Sequence, residues 1–115
     1  MLPKENRLQS RDFKIVYKQG KKYRGKYGML IVTRNNTEQE SRIGFVVSKK
    51  IGNAVMRHRM TRILREICRD IFKNREKEKG FKCIYVAFEY CNSSLVLRDE
   101  LSKHFKNAFR DFKKS

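Results

Sequence analysis

Apolar positions along the chain fall into blocks with two different periods. In "SRDFKIVYKQG", Phe13, Val16 and Tyr17 recur at i, i+3 and i+4, one stripe of a helix. Ser10 stands before them as an N-cap and Gly20 after them as a stop, so a short amphipathic helix is predicted between the two. "YGMLIVT" and "RIGFVVS" are compact apolar runs rich in β-branched residues, separated by the polar "RNNTEQES"; they predict two strands joined as a hairpin or meander. Gly52-Asn53 ends the second run and supplies a turn and an N-cap. Beyond it the helical period returns. Met56, Met60, Ile63, Leu64, Ile67 and Ile71 fall within about 100° on a helical wheel, and Arg57, Arg62, Arg65 and Arg69 gather on the other side. The charged loop "KNREKEKG" closes this helix, "FKCIYVAFEY" predicts a third strand, and after "CNSS" a last helix carries Leu97, Leu101, Phe105, Ala108, Phe109 and Phe112 on one stripe.

The predicted order is therefore α-β-β-α-β-α, with no internal repeat, linker or composition break, and residues 1–115 read as one domain. Strands interleaved with helices over so short a chain suggest an α/β (α+β) two-layer sandwich, its helices covering one side of a small sheet. A chain of 115 residues is long enough to bury about two-thirds of the surface that its unfolded form exposes. Cys68, Cys83 and Cys91 are odd in number, scattered and set among apolar residues, without C-x-x-C spacing. They read as buried small hydrophobes rather than metal ligands or disulfide partners.

Charge changes the picture more than composition does. Twenty-nine Lys and Arg against twelve Asp and Glu give a formal charge of +17, which costs stability through self-repulsion and points to a polyanionic partner. No apolar run approaches the roughly 18 residues that span a bilayer, and "MLPKENRLQS" lacks the apolar core of a signal peptide, so a cytoplasmic location is expected. Between Lys49 and Arg69 stand seven Lys or Arg and His58 against one acid, Glu66. An ordinary solvated helix face mixes signs and places acids at its N-terminus, where the helix dipole favours them. This segment does neither, and bound phosphates would relieve its repulsion. It is read as a nucleic-acid-binding face.

The run "SKKIGNAVMRHR", residues 48–59, followed by Arg62 and Arg65-Glu66, resembles the signature of the bacterial ribonuclease P protein component. "NRLQSRDFKIVYKQG", "RIGFVVSKK", "FKCIYVAFEY" and the last helix also follow that family's order, so the resemblance covers essentially the whole chain. It implies a small α/β sandwich with an unusual left-handed β-α-β crossover. It also implies a non-catalytic subunit of a ribozyme, the tRNA 5′-maturation endoribonuclease that hydrolyses a phosphodiester to remove the 5′ leader of precursor tRNA. Partners would be the catalytic RNA and precursor tRNA, with no membrane and no obligate protein partner, and Mg2+ would be bound mainly by the RNA.

By position, the resemblance assigns Lys49, Lys50, Asn53, Arg57, His58, Arg59, Arg62 and Arg65 to the catalytic RNA, and Phe13 and Tyr17 to a cleft that holds the leader. The residues alone leave Phe13 and Tyr17 open between stacking platform and core. His58 departs from the family, which has Asn there, and Thr61 stands where a Lys commonly precedes Arg62. No protein active site is readable: His58 and His104 are the only histidines, the latter expected on a surface helix face, and Asp12, Asp70, Asp99 and Asp111 share no motif. The alternative is a basic ribosomal or other structural RNA-binding protein with no role in cleavage. A DNA-binding regulator is weaker, because no short helix closely precedes the basic one.

Overall fold

The computed structural model describes residues 2–35, 37–74 and 79–113. Part of the charged loop at 73–80, residues 75–78, and residue 36 of the polar turn lie outside the described residues. The elements in order are a 3₁₀ turn at Lys4–Asn6, α1 (Ser10–Gln19), β1 (Lys21–Arg24), β2 (Gly28–Arg34), β3 (Arg42–Val46), a 3₁₀ turn at Lys49–Ile51, α2 (Ala54–Asn74), β4 (Phe81–Ala87) and α3 (Ser94–Lys113). The four strands form one mixed sheet in the order β1-β2-β4-β3. β1–β2 and β2–β4 are antiparallel, whereas β3 runs parallel to β4 across the α2 crossover.

The α+β sandwich class stands, and the structure corrects four details. β1, "KKYR", was not predicted: three of its four side chains are exposed, so no apolar pattern marks it. It forms by pairing with β2, and its lysines suit an edge strand. β2 and β3 do not form a hairpin, because β4 lies between them and pairs with both. Helices cover both faces of the sheet rather than one. On one face, α2 and α3 bury Met60, Leu64, Ile67, Leu97, Leu101 and Phe105 against Leu30, Val32, Cys83 and Tyr85. On the other, α1 and the chain before it bury Val16 and Leu8 against Met29, Ile31 and Ile84. That double burial explains why β2 and β4 read as continuous apolar runs. Ser10 is the first residue of α1, and the capping position before it, Gln9, makes no side-chain cap bond.

Local chemistry sets the ends that matter for the site. Gly20 closes α1 by giving its N–H to the Val16 carbonyl at 2.8 Å. After β3, the turn at Lys49–Ile51 is pinned by buried Ile51, and Gly52 takes a positive φ of 157°. Asn53 then accepts the Met56 N–H on its Oδ1 at 2.9 Å, the predicted N-cap of α2. Cys68, Cys83 and Cys91 are buried free thiols, as their surroundings predicted, and burial pushes the thiol pKa of Cys68 and Cys83 up.

Candidate nucleic-acid interface

The amphipathic pattern of α2 is realised directly. Met60, Leu64, Ile67 and Cys68 are buried, while Arg59, Arg62, Arg65 and Arg69 project from the opposite side into solvent. No acid occupies its first turn. Lys49 and Lys50 are exposed on the turn just before it. Glu66 lies 4.0 Å from Arg62, with both side chains exposed, so this pair offsets little charge. Among the described residues, none of Lys49, Lys50, Arg57, Arg59 and Arg65 has a carboxylate within 4 Å.

Two shallow grooves run along this face. One, of about 300 Å³, is lined by Val47, Ala54, Arg57, His58, Thr61 and Arg65; the other, of about 490 Å³, by Ala54, Val55, His58, Arg59 and Arg62. His58 lines both and stands between them. Arg57 is half-buried, and its Nε–H is shut away from solvent without an acceptor, so any anion is met by the rest of its guanidinium unless the side chain turns outward. Thr61 donates its hydroxyl to the Arg57 carbonyl at 2.8 Å, so its proton serves the helix backbone and only its lone pairs face outward. Asn53, exposed as well, uses its amide oxygen as the cap.

Beside α1 the sheet forms a second feature. Strand register puts Gly44, Ile84, Ile31 and Lys22 in one row across the sheet, and Val46, Val86, Met29 and Arg24 in the next. The tip of the Phe13 ring presses on Gly44, where a Cβ would collide with Cζ. Half-buried Val46, Val86 and Phe88 continue the apolar surface around it. Tyr17, one turn further along α1, is 40% exposed, and burial of the remainder raises its hydroxyl pKa. Phe13 is therefore partly core, and Tyr17 stands at the exposed edge of α1. At one end, Lys82 bonds both Asp12 (3.4 Å) and Glu38 (3.3 Å). At the other, the Arg24 guanidinium sits 5.7 Å from the centroid of the Phe88 ring. Because Val46 leads within three residues to Lys49, that end of this apolar surface adjoins the start of the basic face. Sequence reasoning missed Val46, Val86, Phe88 and Arg24; strand alternation marks them only once the register is known.

The expected surface placement of His104 is wrong. It is 5% exposed, on the core side of α3, with Nε2 unpaired and 3.9 Å from Glu100 Oε2. Desolvation lowers its pKa, against the opposing pull of the Glu100 carboxylate and the Gly28 carbonyl. The placement followed from treating His as polar, whereas position 104 falls on the helix stripe of Leu97, Leu101 and Ala108. The four Asp side chains are tied to separate cations: Asp12 to Lys82, Asp70 to Arg98, Asp99 to Lys103 and Asp111 to Lys21. Among the described residues no three His, Cys, Asp or Glu side chains meet as a metal cluster. Nor, among them, is any helix long and apolar enough to cross a membrane.

The family model for ribonuclease P matches residues 2–113 of this chain. The chain belongs to the ribonuclease P protein family. A ribonuclease P protein component from Finegoldia magna is 43% identical over 77 residues, 67% of this chain and 65% of that protein. One from Bacillus pumilus is 30% identical over 110 residues, 95% of this chain and 89% of its own length. The match thus spans about two-thirds of the Finegoldia protein and most of the Bacillus one. Among solved structures, the Thermotoga maritima RNase P protein superposes with a TM-score of 0.72 at 27% identity, covering 88% of this chain and 96% of that one. A mutant RNase P protein of Staphylococcus aureus gives 0.73 at 27% identity, covering 91% and 89%. The β3-α2-β4 crossover with its parallel pair is thus a ribonuclease P protein fold.

Proposed function

We propose that this chain acts, as a single domain over residues 1–115, as the non-catalytic protein subunit of a ribonuclease P holoenzyme that removes the 5′ leader of precursor tRNA in the cytoplasm. The observation that carries the reading is the unbalanced charge of α2 and the turn before it: Lys49, Lys50, Arg57, Arg59, Arg62 and Arg65 have between them a single weak carboxylate contact. Phosphates of the catalytic RNA are the counter-charge that such a face lacks. Asn53 orders the helix start, and His58, between the two grooves, adds a ring donor. The cleft beside α1 takes the single-stranded leader, with Phe13 and Tyr17 presenting ring surface to unpaired bases. Catalytic groups and the Mg2+ ions belong to the RNA in this reading, and the protein contributes binding and substrate discrimination.

Reconstitution tests it. Mixing the protein with a bacterial ribonuclease P RNA and precursor tRNA at low magnesium should raise cleavage above that of the RNA alone. Tight binding to ribosomal RNA with no gain in cleavage would instead place the chain among structural RNA-binding proteins.

A further inference from the structure

The hairpin end of the cleft holds an aromatic and a cation that the proposed assignments leave unused. Phe88 follows β4 and remains in its ladder, giving its N–H to the Tyr27 carbonyl at 2.8 Å. Its ring is half-buried against the cluster that includes Ile84 and Met29, with the Arg24 guanidinium over it. Among the described residues Arg24 has no carboxylate within 4 Å, so its charge is uncompensated. Lys22 lies on the same sheet face one row away, and exposed Lys26 is in the adjoining turn. The turn itself is rigidly held. Gly25 donates to the Gly28 carbonyl at 2.9 Å, and the Tyr27 N–H donates to Glu100 Oε1 at 2.9 Å. The other oxygen of that carboxylate accepts the Tyr85 hydroxyl at 2.8 Å.

We propose that Phe88 and Arg24 form a second nucleotide position of the cleft, in which an unpaired RNA base stacks on the Phe88 ring and the adjoining phosphate pairs with Arg24. The proposal rests on the leader-cleft reading above and adds a site to it. In the free protein the guanidinium covers the ring; when RNA arrives, the base takes its place and the charge moves to the phosphate. A cation–π contact is thereby exchanged for a stack and an ion pair. Phe13 lies over Gly44, which pairs with Ile84. Phe88 is four residues beyond Ile84, about 13 Å of backbone at roughly 3.3 Å per residue, so the two rings are rooted at different points along the sheet. The two aromatics therefore hold different nucleotides. Arg24, Lys22 and Lys26 outnumber the nearby acids, exposed Glu89 beside Phe88 and half-buried Glu100, so this charged, aromatic rim favours RNA over an acidic peptide.

The test uses the reconstituted holoenzyme and precursor tRNAs whose leaders are shortened one nucleotide at a time, with mature tRNA as control. Phe88→Leu should weaken binding of long-leader precursor by about 5- to 100-fold and leave the affinity for mature tRNA unchanged. Phe88→Tyr, which keeps the ring, should restore binding, and Arg24→Lys should bind better than Arg24→Ala. The loss caused by Phe88→Leu should disappear at a different leader length from the loss caused by Phe13→Leu. No loss at any length, an equal loss for mature tRNA, or disappearance at the same length would overturn the second position. Failure of the broader reading looks different: Phe13→Leu and Tyr17→Leu would then show no precursor-specific loss, whatever Phe88→Leu does.

Discussion

Asn53 and Arg59 stand six residues apart at the start of one helix and do opposite things for stability. Asn53 satisfies a backbone donor of α2, so Asn53→Ala should cost about 1 kcal/mol of folding free energy, read as a lower midpoint in urea. Arg59 is exposed in the first two turns with no acid beside it. Arg59→Ala should leave stability within about 0.5 kcal/mol of the parent, or raise it, while weakening binding to the catalytic RNA. A large stability loss there would mark Arg59 as structural. His104 sets a pH dependence of its own. Its folded pKa is depressed by burial, so below the ordinary imidazole range the unfolded chain binds a proton that the folded chain resists. Stability should be complete above about pH 6.5 and fall as pH drops through the depressed folded value, with a slope of at most about 1.4 kcal/mol per unit for one proton. Thermal melts of the protein and of His104→Gln between pH 7.5 and 5 should separate, with the variant lacking this slope.

At the scale of the element, α2 is an electrostatic object and α1 a packing one. If α2 neutralises six or more phosphates, affinity for the catalytic RNA should fall by roughly 10³-fold or more between 50 and 200 mM salt. Affinity insensitive to salt would remove the phosphate reading of the basic face. For α1, Phe13→Leu and Tyr17→Leu keep apolar volume and remove ring faces, so the chain should fold and assemble. The holoenzyme should then lose preference for precursor over mature tRNA by about 1 to 3 kcal/mol per ring, measured as the ratio of the two dissociation constants. Phe13 should also cost some stability, because it fills the space over Gly44, whereas Tyr17 at the rim should cost little.

The whole molecule is a sheet with two covered faces: the α2–α3 face supplies most of the core, and the α1 face carries a smaller apolar cluster. Of its two edge strands, β1 has mostly exposed side chains. Asp111 near the end of α3 clasps that edge, accepting from Lys21 Nζ and the Tyr23 hydroxyl, both at 2.9 Å. These two donors pull the Asp111 pKa down to about 2. The clasp is fully present above the ordinary carboxylate range and is lost as pH falls toward 2. Asp111→Asn should therefore speed amide hydrogen exchange in β1 and the adjoining turn while leaving β4, paired on both sides, protected. Uniform acceleration across the sheet would mean that the clasp supports the global fold instead.

The sequence by itself determined the three helices, three of the four strands, the basic face of α2 and its Asn53 cap, because each depends on periodicity and side-chain type within a few neighbouring residues. It also carried the family, through the long run from Ser48 to Arg59. Tertiary structure decided what local chemistry leaves undetermined. Apolar runs such as "MLIV" and "CIYVA" say that a strand is buried, not which strand lies beside it; only the crossover through α2 inserts β4 between β2 and β3. β1 has no burial signal to read, since backbone pairing and the Asp111 clasp hold it. His104 looked polar and proved buried because position 104 lies on the apolar stripe by which α3 faces the sheet. The surface beside Phe13, with Val46, Val86, Phe88 and Arg24, comes from strands distant in sequence, and their side chains share a face only through the register of the folded sheet.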